Sequence, residues 1–106
     1  MRTLGVVAVA LGLVAPALGA GNPVAGKAVF RAKCGSCHTL KPAGTMARSA
    51  NAGPVLTNKR ETVSRVMNQL SGNAGGLMPT FVGKLTAKQI SDVVAFVVVA
   101  SKPGVS

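Results

Sequence analysis

The sequence predicts an all-α fold of about three main helices in a single domain. Three observations carry this. A chain of 106 residues holds one domain at most. Three segments combine a helix-start signal with apolar residues at helical spacing, and no strand pattern is visible between them. The connections between them, Thr39 to Thr57 and Ser71 to Lys84, are rich in glycine and polar residues. Stretches that long in so small a domain call for a functional reason.

The N-terminus precedes the domain. Met1-Arg2 gives a positive start, Leu4 to Val14 is apolar, and Ala15-Pro16-Ala17-Leu18-Gly19-Ala20 supplies small residues. This is the layout of a secretory signal, residues 1–20, with cleavage near Gly19/Ala20. The competing reading is an uncleaved membrane anchor, because residues 4–20 carry no charge. Against it stands the absence of slack, since the first helix opens at Asn22. Residues 21–106 then form the folded domain, without a stable membrane span once the signal is gone, and the two cysteines lie outside the cytoplasm.

In the first helix Asn22 is the N-cap and Pro23 the first helical residue. Ala25, Ala28, Val29 and Ala32 share one face, with Phe30 beside it, and the helix runs directly into Cys34. The middle helix covers about Lys59 to Leu70. Asn58 with Glu61 resembles a capping box, Val63, Val66, Met67 and Leu70 form the apolar stripe, and Gly72 stops it. The last helix has the clearest start, a Thr86-Ala87-Lys88-Gln89 capping box with Leu85 and Ile90 as its hydrophobic staple. From Val93 to Ala100 it is apolar on every face, which suits a helix covered on more than one side. Lys102-Pro103-Gly104 ends it.

Composition narrows the function. Twelve Lys and Arg against two acidic residues give a formal charge of +10 and a pI near 11.1. A basic chain suggests nucleic acid, but there is no groove-reading motif, and with three Phe, no Trp and no Tyr there is no stacking platform. The charge better suits docking to acidic protein surfaces. So little aromatic bulk also leaves a small core that a large apolar cofactor would complete.

That cofactor is specified by Cys34-Gly35-Ser36-Cys37-His38. Thiols at Cys-x-x-Cys spacing reach the two vinyl groups of one haem and form thioethers with it, and the adjacent His38 supplies an imidazole to the iron. A thioredoxin-type dithiol uses the same spacing but belongs beside a strand, and zinc needs four ligands where the chain has two Cys and one His. His38 is the only histidine, so the sixth iron position falls to a thioether or an amine, or stays open. Among Met46, Met67 and Met78, Met67 lies on the apolar stripe and Met46 sits in a polar segment close to His38. Met78 stands in Gly75-Gly76-Leu77-Met78-Pro79, where glycines allow close approach and proline stiffens the loop. Met78 is favoured, with Met46 next.

These residues, together with Gly26, Phe30, Gly53-Pro54-x-Leu56, Met78-Pro79-Thr80-Phe81 and Phe96, make residues 22–102 resemble a small bacterial class I cytochrome c. The resemblance implies first and last helices crossing at Gly26, Phe30 and Phe96. It implies one covalent haem c, and a Pro54 carbonyl accepting from His38 Nδ1–H, where the residues alone would also allow a simple turn. The chain departs from the family in lacking Trp or Tyr for the haem propionates, leaving Arg48, Asn51, Lys59, Arg60 or backbone N–H groups as candidates. Its His38-to-Pro54 segment is also longer.

A His/Met-ligated buried haem favours outer-sphere electron transfer over catalysis. The expected function is a periplasmic, monomeric, non-enzymatic monohaem electron carrier. A dedicated subunit of a larger oxidoreductase is the runner-up, and a haem enzyme or gas sensor with an open iron site is third. Lys33, Lys41, Lys84 and Lys88 flank the haem-contacting segments and would steer an acidic redox partner.

Overall fold

The computed structural model describes residues 21–48, 52–72 and 78–105. They form helix α1 (Pro23–Lys33), a short 3-10 turn (Lys41–Ala43), helix α2 (Val63–Leu70) and helix α3 (Ala87–Ala100). Among the described residues the only β pairing is two isolated bridges, Leu40 with Thr45 and Val82 with Leu85, so the fold is all-α. The signal segment, residues 1–20, lies outside the described residues.

α1 begins as predicted. The Asn22 side chain accepts from Val24 N at 2.8 Å and Ala25 N at 3.3 Å. Its buried face is a different one, however: Gly26 and Phe30 are buried, while Ala28 and Ala32 are exposed. The crossing with α3 decides this. A methyl group on Gly26 would overlap the Asp92 carbonyl and come within 2.9 Å of Phe96 Cβ, so only glycine lets the two backbones touch. One turn on, Phe30 meets Phe96 with ring centroids 5.8 Å apart and planes tilted by 58°. Such a pair is worth roughly 0.5–1.5 kcal/mol beyond its area burial. The smallest and the largest side chains of α1 therefore set the face, and the alanines follow.

α2 is shorter than the sequence predicts. Its N-cap is Thr62, whose hydroxyl accepts from Arg65 N at 3.2 Å, and not Asn58. Asn58 (φ 63°) and Arg60 (φ 54°) adopt left-handed backbone that no helix accommodates. Tertiary hydrogen bonds hold the second of these: Arg60 N donates to Ser101 O and the next residue's Glu61 N to Ser101 Oγ, each at 2.9 Å. Ser101, fully buried at the end of α3, thus moves the start of α2. The apolar stripe is as predicted, with Leu70 buried and Val63, Val66 and Met67 packed against the core. Gly72, at φ 79°, ends the helix.

α3 is the spine. Thr86 Oγ1 accepts from Gln89 N at 3.1 Å and Gln89 Oε1 from Thr86 N at 2.8 Å, completing the predicted capping box. Phe96 faces α1, while Val93 and Val97 turn toward a cleft bordered by α2, so the helix is covered on two sides. The exception to the all-round burial expected is Val99, which is exposed.

The described parts of the 39–57 connection, residues 39–48 and 52–57, are tied down by hydrogen bonds. Thr45 Oγ1 donates to His38 O at 2.9 Å and accepts from Leu40 N at 3.1 Å, and Ala47 N donates to Thr39 Oγ1 at 2.9 Å. Two threonine hydroxyls supply the backbone partners that a helix or sheet would otherwise provide.

Asp92 ties the start of α1 to α3. Its carboxylate accepts from Lys88 Nζ at 2.7 Å and from Asn22 N at 2.8 Å. The Lys88 bond, and after it the Asn22 N–H, hold its pKa below the ordinary 3.8. A lowered carboxylate pKa stabilises the fold above pH 3.8, and that contribution is lost as pH falls through the folded-state value. Asp92→Asn is therefore expected to be less stable than the parent at neutral pH. Urea midpoints measured against pH should begin to converge near pH 3.8 and meet only once pH has fallen through the lower folded-state value.

Candidate functional site

A cleft of about 1030 Å3 opens between α1, α2, α3 and the loops around His38 and Met78. That is at the upper end of the usual size for cofactor sites, ~300–1,000 Å3. Its walls are mainly apolar: Phe30, Leu56, Val66, Leu70, Phe81, Val93 and Val97. Each residue singled out in the sequence for the site, Cys34, Cys37, His38, Pro54 and Met78, borders it.

The Cys-x-x-Cys-His segment is the C-terminal turn of α1 rolled over on itself. Cys37 N and His38 N both donate to Cys34 O, at 3.1 and 2.9 Å. This turn brings both sulfurs and the imidazole to one cleft. Neither cysteine is in a disulfide. Burial, and secondarily the charge of Cys37, pushes the Cys34 thiol up to about 11. A redox-active dithiol needs the opposite, a lowered thiol pKa, so the thioredoxin-type reading finds no support.

His38 is fixed by its neighbours. Its Nδ1 lies 2.9 Å from Pro54 O. A carbonyl only accepts, so the proton of that bond sits on Nδ1, and in the neutral ring this tautomer leaves the Nε2 lone pair for a metal. The 52–56 loop is held close by Gly53 N donating to Cys37 O at 2.6 Å and Leu56 N to Thr39 O at 2.8 Å. Gly53 packs directly on the ring: a methyl group there would sit 2.5 Å from His38 Cε1. Gly53→Ala is expected to cost about 2 kcal/mol, in the range for overpacking. Denaturant unfolding of the haem-loaded protein measures it.

Of the three methionines beyond residue 20, only Met78 borders the cleft. Phe81 N donating to Leu70 O at 2.7 Å and Thr80 Oγ1 to Leu70 O at 3.2 Å pin the following segment to the end of α2. Gly75, Gly76 and Leu77 lie outside the described residues. Met67 packs against the core. Met46 is 66% exposed, its sulfur 3.8 Å from Arg48 Nη2.

The expected propionate partners fare worse. Arg48, Lys59 and Arg60 do not border the cleft, and Asn51 lies outside the described residues. Instead α2 brings Glu61, Arg65, Asn68 and Gln69 to it. The sequence reading takes its cationic candidates from the segment before the apolar stripe and does not consider the polar residues beside it, such as Arg65 next to Val66.

An apolar slot with two free thiols, one imidazole whose Nε2 makes no hydrogen bond among the described residues, and one thioether fits a haem attached through both cysteines. Comparison with known proteins points the same way. A family model described as cytochrome c oxidase, cbb3-type, subunit III matches residues 21–97. Cytochrome c6 of Limnospira maxima is 34% identical over 89 residues, 79% of this chain and 99% of that protein. Cytochrome c6 of Rippkaea orientalis is 34% identical over 83 residues, 74% of this chain and 70% of that protein. The crystal structure of the c-type cytochrome SorU from Sinorhizobium meliloti superposes with a TM-score of 0.63 at 27% identity, covering 76% of this chain and 93% of that one. The chain belongs to the class I c-type cytochromes, the small single-haem electron carriers that hold haem c covalently.

Proposed function

We propose that this chain is an exported, monomeric one-electron carrier with His38 and Met78 as axial iron ligands and Cys34 and Cys37 as the thioether anchors. The 2.9 Å bond from His38 Nδ1 to Pro54 O carries the reading, because it fixes the ring and engages Nδ1 rather than Nε2. The bound haem supplies reversible one-electron chemistry at its iron. The chain supplies rigidity and exclusion. Gly53 and Pro54 hold the imidazole in one tautomer and orientation. The apolar walls keep water from the cleft, which favours the less charged, reduced state. Met78 would offer the remaining iron position a soft, neutral donor and so leave no place there for a substrate. This is electron transfer without catalysis.

Reduced-minus-oxidised and CO-difference spectra of the exported protein test the reading. The expected outcome is a haem c spectrum, the far-red ferric band of iron–thioether ligation, and no CO binding by the ferrous form. Met78→Ala should lose that band and bind CO. If the parent protein itself binds CO, the third reading of an open iron site takes over.

The signal at residues 1–20 supports export to the periplasm. No helix among the described residues is long and apolar enough to cross a membrane. For docking, Lys33, Lys41 and Lys84 are exposed, whereas the Lys88 ammonium is engaged by Asp92. An acidic redox protein is the partner class this supports, and its transfer rate should fall as salt rises. The oxidase-subunit description of the matching family model favours a second reading, a dedicated subunit, for which copurification with a larger complex is the check.

A further inference from the structure

Arg65 and Lys33 are the only Lys or Arg side chains bordering the cleft among the described residues. Lys33 directly precedes Cys34 and so belongs to the thioether end. In a haem the two carboxylate arms lie on the edge of the ring away from the vinyl groups, so a cation at the thioether end is poorly placed for them. Arg65 comes from α2, a different element, and it is held. Its Nη2 donates to Arg60 O at 2.7 Å and its Nε to Glu61 Oε1 at 3.3 Å.

The way Arg60 O is presented shows investment in that position. Arg60 is left-handed at φ 54°, as is Asn58 at φ 63°. Asparagine adopts this conformation readily, but for arginine it is strained, at a cost in stability, and persists only where surrounding structure enforces it. Here the enforcement is the pair of 2.9 Å bonds to the buried Ser101. The Glu61–Arg65 pair does not repay that cost. The Arg65 side chain is 57% exposed, and exposed pairs of this kind contribute only about 0.2–1 kcal/mol. The strain is therefore better explained by where it puts the guanidinium than by the stability of the ion pair.

We infer that Arg65 is the positioning cation for the carboxylate edge of the bound haem. Ser101 and the left-handed Arg60 aim it, and Glu61 trims its charge. It takes the place of the Trp or Tyr this chain lacks. The inference rests on the cleft being the haem site.

The test is the midpoint potential of the haem-loaded protein and of its Arg65→Gln, Arg65→Lys and Glu61→Gln variants. Removing a cation beside the haem favours the ferric state. Arg65→Gln should shift the ferric/ferrous ratio about tenfold toward ferric, the size expected for one charge acting near a protein surface, which is about 59 mV for a one-electron couple. Arg65→Lys should recover part of the shift, and Glu61→Gln should move the potential the opposite way. An Arg65→Gln shift below about twofold, shifts of one sign in both glutamine variants, or loss of the far-red iron–thioether band in Arg65→Gln would overturn the inference. Failure of the underlying reading looks different: the parent protein itself would carry no covalent haem by its pyridine haemochrome spectrum.

Discussion

Gly26→Val is expected to destabilise the protein by about 3 kcal/mol, at the top of the usual overpacking range. Two effects oppose each other. Replacing a mid-helix glycine gains roughly 0.5–1 kcal/mol of backbone entropy. Against this, even the first added carbon overlaps the Asp92 carbonyl of α3 and crowds Phe96 Cβ. A carbonyl cannot rotate aside as a flexible side chain can, so α1 and α3 must separate and the Phe30–Phe96 contact opens with them. Packing wins. Denaturant unfolding should show a lowered midpoint with an unchanged slope. A Gly26→Val protein as stable as the parent would mean the helices do not cross at this residue.

Phe30→Ala is expected to cost about 3–5 kcal/mol, the usual penalty for emptying a buried aromatic site. That is a large share of the ~5–15 kcal/mol typical of a whole domain. Phe30 is 1% exposed, stacks on Phe96 and also forms a wall of the haem cleft. Its loss should therefore show twice, as lower stability and as a visible-spectrum change from water entering beside the haem. Phe96→Ala provides the contrast, because Phe96 packs in the crossing without bordering the cleft. It should lose comparable stability and leave the haem spectrum nearly unchanged. Equal spectral changes in both variants would count against Phe30 as a cleft wall.

The helices with self-contained end signals were legible in the sequence. Thr86-x-x-Gln89 and Asn22-Pro23 act within one turn of chain, and both caps form as read. The site residues were legible for a related reason: Cys34, Cys37 and His38 are placed by a single turn, whatever surrounds them. What sequence could not supply came from contacts across long separations. The start of α2 is set by Ser101, 40 positions from Glu61. The buried face of α1 is set by the Asp92 carbonyl of α3, which no local spacing encodes. Arg65 escaped notice for the same reason, since no local pattern says that the polar neighbours of the Val66 stripe border a cleft.

The two acidic side chains have one more consequence. Glu61 is bonded to Arg65 and Asp92 to Lys88 and Asn22, each within its own molecule. Neither carboxylate is free to pair with a lysine of a second copy, and the whole carries a strong positive charge. Two copies of so basic a chain therefore repel one another at low ionic strength. Like charge thus works against contact between identical molecules, an effect that added salt would screen.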